Sequence, residues 1–147
     1  MQTPVIPLAA GVIDIVGNAN GGTVPLLGVL MGVEYVDSSS KKTVFKNFWP
    51  GANNVSVDTN FPVKAFVADN PNQLFMIAAD GSSTDKATAQ TNVFANAPMA
   101  TATSGSTSTG RSTAELDISG VATTATLPLR VVGLTGDVAN LDYDAAG

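Results

Sequence analysis

The chain has 147 residues, carries 12 acidic and 7 basic side chains for a net charge of −5, and is only 13% charged. It contains no histidine and no cysteine, which removes the commonest general base and metal ligand, all disulfides and all thiolate chemistry. Its basic residues are scattered, with Lys41-Lys42 the one adjacent pair, so there is no basic stripe for nucleic acid and no polybasic segment for a membrane surface.

A hydrophobic fraction of 44% supplies a core for one domain spanning residues 1–147. No basic residue precedes Lys41, and Asp14 interrupts the apolar stretch 5–16, which argues against a signal peptide. The uncharged run 15–33 has spanning length, but Asn18, Asn20, Pro25 and its glycines exclude a transmembrane helix. Within 5–16, Ile13 and Ile15, flanked by Val12 and Val16, predict a short strand, and residues 1–12 suggest an extended arm. The Gly/Asn cluster at 17–22 predicts a turn.

Residues 26–36 are the strongest strand candidate. Strict alternation puts Val29, Met31, Val33 and Tyr35 on one face and Gly28, Leu30, Gly32 and Glu34 on the other. The two glycines predict curvature or the close approach of another backbone. The polar turn 37–42 returns the chain as a second strand at 43–48, a hairpin. Trp49-Pro50-Gly51 ends it. Residues 61–69 alternate again, Asp69-Asn70-Pro71-Asn72 turns, and 73–78 is the expected partner strand. Asp80-Gly81 turns once more. Residues 85–92 form the one short helix, with Ser83 or Thr84 as its N-cap. The Ser/Thr/Gly-rich stretch 101–113 reads either as a loop or as an exposed strand of small residues. Residues 113–118 alternate, and 123–134 predict a last long strand in which Pro128 marks an edge or a bulge. Residues 137–147 read as a tail or second arm. About seven or eight short strands between turn signals make the fold class all-β: a single antiparallel barrel or sandwich, jelly-roll-like.

Little of this carries chemistry. The glycines at 17–22 lack the Lys-Ser/Thr and the helix of a phosphate loop. Glu115/Asp117, Asp142/Asp144 and Asp80/Asp85 are carboxylate pairs, but surface solvation is their ordinary explanation. The serines have no histidine to activate them. Asn54-Val55-Ser56 fits a glycosylation sequon to which no role is assigned. These residues predict no catalytic group, no cofactor and no metal site. Phe45, Phe48 and Trp49 are the densest aromatic group, suited to a core or to a partner surface. Arg111, inside an uncharged stretch, and Arg130 are the only arginines. The candidate interface residues are therefore Phe48, Trp49, Arg111 and Arg130.

The segments GVLMGVEYVD at 28–37 with FKNFWP at 45–50, VKAFVADNPN at 63–72 leading into Leu74-Phe75, GSTSTGRS at 105–112 and ATTATLPLRVVGL at 122–134 resemble a family of head decoration, or cement, proteins of tailed bacteriophages, especially podoviruses. The likeness spans roughly residues 24–140, and none of its blocks is a catalytic signature. It implies a β-rich domain on the outer surface of a virion. There it would stabilise the capsid by bridging neighbouring major capsid protein subunits, with further copies of itself as partners in a dimer or trimer. A β-sandwich adhesin or a head or tail fibre domain binding a host surface is the alternative. A β-fold glycosidase using the paired acids ranks third.

Overall fold

The computed structural model describes residues 2–16, 24–83, 85–100 and 105–135. Its strands are β1 (Thr3–Pro7), β2 (Ile13–Ile15), β3 (Gly28–Val36), β4 (Thr43–Lys46), β5 (Lys64–Ala68), β6 (Ala78–Ala79), β7 (Asn96–Ala97), β8 (Glu115–Leu116) and β9 (Leu129–Arg130), with one α-helix, α1 (Lys86–Thr91). The protein is all-β, and its pairings are antiparallel except for β6 with β8. The chain groups into two compact units. The first holds Met1–Ile15, Leu26–Gln73 and Thr103–Thr113; the second holds Val16–Pro25, Leu74–Ala102 and Ala114–Gly147.

The first unit is organised by β3. Along one edge β3 pairs with β5 over residues 29–34. Because those residues are occupied on that side, β1, which pairs with 28–30, and β4, which pairs with 33–36, lie end to end along the other edge. The β3–β4 hairpin is closed as the sequence predicts. Asp37 exchanges backbone hydrogen bonds with Lys41 and Lys42 (both 2.9 Å), and its carboxylate accepts from the Ser39 and Ser40 N–H groups.

Alternation alone puts Leu30 and Val33 on opposite faces. The structure puts them together. The ladder to β5 shifts register between Leu30 and Gly32, so Met31 is an extra residue, a β-bulge that inverts the phase of the strand. Val5, Leu30, Val33 and Tyr35 form the core, joined by Val44, Val57, Val67 and Trp49, while Met31 is 46% exposed. The Trp49 ring stands edge-on to Tyr35, with centroids 6.0 Å apart at 87°.

The opposite face carries Gly32, Glu34, Phe45, Lys64 and Phe66, placed there by direct cross-strand pairing. Glu34 and Lys64 make an ion pair of 2.9 Å. Phe45 and Phe66 meet at 5.7 Å over Gly32, where a Cβ would come within 2.8 Å of the Phe45 ring. Of the two roles expected for the strand glycines, close approach is the one seen: a Cβ on Gly28 would strike the backbone carbonyl of Ala68.

Residues 3–7, which the sequence placed in an arm, are a strand of this sheet with Val5 and Ile6 buried. Pro4 and Pro7 obscured it, since each removes a ladder donor. The sheet accommodates them because the two ladders of β1 overlap only at Val5: Pro4 lies in the β3 ladder and Pro7 in the β2 ladder. The other arm, 137–147, lies outside the described residues. The predicted partnership of 61–69 with 73–78 does not form. A turn from Asn70 to Gln73 is present, but β5 takes β3 as its partner, and the chain passes from the first unit to the second after Gln73.

The second unit is built around residues 94–100. Asn96 exchanges both backbone hydrogen bonds with Ala122 on one edge and pairs with Arg130 on the other. Pro98 contributes only its carbonyl, which accepts from the Asp117 N–H at 3.1 Å, and Met99 bridges to Leu116. β8 pairs parallel with β6. The long strand expected at 123–134 is reduced to β9, because Leu127 turns back on Thr124 and Pro128 has no N–H to give. α1 sits where the sequence predicted a helix, but its cap is Asp85, whose carboxylate accepts from the Thr88 N–H at 2.7 Å.

Three aspartates act as turn staples, and each is held below the usual carboxylate range. For Asp37 the main cause is the Ser40 N–H, then the Ser40 hydroxyl. For Asp58, which is buried, it is the Lys41 ammonium at 2.9 Å, then the Asn60 N–H. For Asp117 it is the Ser119 hydroxyl. A folded-state pKa below the unfolded one adds stability that is complete above the unfolded value and is lost as pH falls through the folded one. Thermal stability is therefore expected to be level through neutral pH and to decline below about pH 4. Asp58→Asn should lower the neutral-pH melting temperature and soften the acid decline, as read by calorimetry across pH.

Candidate interaction site

Phe48 and Trp49 leave β4 at the point where its ladder to β3 ends. The loop 105–111 meets them there. This loop is a closed turn and not a strand: the Ser106 N–H donates to the Arg111 carbonyl at 2.9 Å, and the Gly110 N–H donates to the Ser106 carbonyl at 2.8 Å. The Gly105 N–H donates to the Thr113 hydroxyl at 3.0 Å. Gly105 and Gly110 have φ of +62° and +70°, a region that side chains disfavour. Gly110 is also required sterically, because a Cβ there would overlap the Phe48 ring. The loop thus seats itself on Phe48 through a residue without a side chain.

Between these elements is a concave site of about 210 Å³, lined by Thr3, Ile15, Leu30, Phe48, Trp49, Arg111 and the loop backbone. The volume is below the roughly 300–1,000 Å³ of small-molecule sites. It suits one or two side chains of a partner. Its wall is mainly apolar, no acidic residue lines it, and Arg111 is exposed at its edge. Among the described residues Arg111 makes no ion pair. Lys46 lies beside the site, its ammonium 6.0 Å from the Phe48 ring centroid. The arrangement offers an apolar socket and a guanidinium able to take a carboxylate in bidentate fashion.

No family model, curated protein or solved structure matches this chain.

Of the four residues chosen from the sequence, Phe48, Trp49 and Arg111 line this one site. Trp49 serves both readings of the aromatic group, since it packs on Tyr35 and lines the socket. Phe45 joins neither, being 63% exposed on the opposite sheet face. Arg130 belongs to the second unit, where its guanidinium lies 5.9 Å from the exposed Phe94 ring. Of the paired carboxylates, Asp85 caps α1 and Glu115 lies in β8. Asp117 accepts from Ser119 and Gly120, and Asp80 accepts from the Ile118 N–H. Asp142 and Asp144 lie outside the described residues. Thr3, Ile15 and the two loop glycines were not anticipated. Only the glycine pair five residues apart, inside a Ser/Thr stretch, carried a signal for them.

Proposed function

We propose that the protein is a structural, non-enzymatic virion component that decorates the outer surface of a tailed-phage capsid and stabilises it by bridging neighbouring major capsid protein subunits. The four sequence blocks at 28–50, 63–75, 105–112 and 122–134 motivate the reading. The observation in the fold that carries it is the socket of Phe48, Trp49 and Arg111. An aromatic wall with an adjacent arginine is the composition of an interface anchor. A surface poor in charge, 13% over the whole chain, suits cover by neighbours more than free solvation. Single contacts of this size are weak, and a shell lattice multiplies them through many copies.

The deciding measurement is copy number per particle by quantitative mass spectrometry, with the thermal tolerance of particles lacking the protein. Hundreds of copies and a lowered disruption temperature are expected. A handful of copies would assign the protein to a tail or fibre, and absence from particles would end the proposal. Arg111→Glu should reduce occupancy on the shell about 10-fold, equivalent to about 1.4 kcal/mol, with the isolated protein melting as the parent does.

A further inference from the structure

The sheet of the first unit has three free strand edges among the described residues, on β2, β4 and β5. They are not equally protected. β2 has three residues and contains Asp14. β4 has four, with Lys42 before it and Lys46 at its end. β5 has five, reads Lys64-Ala65-Phe66-Val67-Ala68, and contains no proline and one charge. Lysine on an edge normally opposes pairing with another chain. Here Lys64 is drawn over its own sheet by Glu34 at 2.9 Å, so its charge is matched and turned away from the edge. Residues 64–66 are exposed, and among the described residues β5 pairs with β3 alone. Its alternate N–H and C=O groups therefore point outward without a partner strand.

We propose that two copies of this chain join edge to edge through β5, antiparallel about a two-fold axis at Phe66, extending the sheet of one copy into that of the other. The register follows from geometry. A two-fold axis normal to the sheet keeps faces matched only if residues of the same parity oppose each other. Centring on Phe66 meets that condition and sets each Phe66 against its counterpart, with Ala65 opposite Val67 and Lys64 opposite Ala68. No like charges then face each other. The Phe45–Phe66 pair of one copy, with rings 5.7 Å apart, continues into the same pair of the other as one aromatic row. Other centres lose this: an axis at Lys64 would set the two ammonium groups together. A pairing of five residues buries little area, so the dimer is weak and forms at micromolar concentrations.

This inference does not rest on the capsid reading, and its test uses the isolated protein. The chain has no cysteine, so a single introduced thiol reports its own position. Phe66→Cys brings two thiols opposite each other at a Cα separation of about 4.5–5.5 Å, inside the disulfide range. Lys64→Cys leaves its two thiols about four residues apart along the strands, more than about 10 Å. Under mild oxidation Phe66→Cys should cross-link to dimer at least 10-fold faster than Lys64→Cys. Sedimentation should show a concentration-dependent dimer for the parent protein. Phe66→Lys, which apposes two charges at an exposed position, should weaken dimerisation at least 10-fold while the melting curve shows a folded monomer. Equal cross-linking at both sites, a parent monomeric throughout the micromolar range, or a dimer that persists in Phe66→Lys would each overturn the proposal.

Discussion

Leu30→Ala should lower the unfolding free energy by about 2–5 kcal/mol, the cost of a cavity in a packed core. Met31→Ala, one residue along the same strand, should leave it within about 0.5 kcal/mol, as exposed substitutions do. Simple alternation predicts the reverse, because it groups Met31 with Val33 and Tyr35. The contrast follows from the bulge. Leu30 is 9% exposed and packs with Val5, Val33 and Tyr35, whereas Met31 is 46% exposed. Urea denaturation of the two variants, at equal m-values, measures the difference directly. A larger loss for Met31→Ala would mean that β3 runs without the bulge, and Leu30 would then leave the core.

The same strand shows what the sequence can disclose about this fold. Hairpin β3–β4 was legible because two local signals agree: an alternating strand and a turn whose first residue, Asp37, can staple the next N–H groups. The bulge was not legible, because a period-two reading has no means of inserting one residue. β1 was hidden by its prolines, and their tolerance depends on which ladder each one enters. The partner of β5 was misassigned because sequence neighbours are the default pairing, whereas β3, held along one edge by the hairpin, offered its other edge. The socket was half legible. Phe48, Trp49 and Arg111 were selected by residue type, but about sixty residues separate them in the chain. What joins them is the contact of Gly110 with the Phe48 ring, and a glycine in a Ser/Thr-rich stretch does not announce a packing role.

Met99→Ala should cost about 2–5 kcal/mol in the second unit, while Met76→Ala should change stability by no more than about 0.5 kcal/mol. Local sequence does not foretell this: Met76 is flanked by Phe75 and Ile77, and Met99 by Pro98 and Ala100. Met99 is 1% exposed and Met76 is 83% exposed. The difference is topological. The segment Asn96-Ala97-Pro98-Met99 has poor strand propensity, since Asn, Ala and Pro are all depleted in strands. It is nevertheless hydrogen-bonded along both edges, by Ala122 and Asp117 on one side and by β9 on the other. Pairing on both edges holds the segment extended whatever its propensity, and since successive side chains alternate in direction, burial of Ala97, Pro98 and Met99 means that both faces are covered here. Pro98 fits because the ladder asks only for its carbonyl. Hydrogen exchange adds a second readout: the amides of Asn96, Ala100, Asp117 and Ala122, all donors in this ladder, should lose protection together in Met99→Ala. Loss confined to the amides beside the substitution would show that the ladder is not a cooperative element, and the position of Met99 at the centre of the second unit would have to be abandoned.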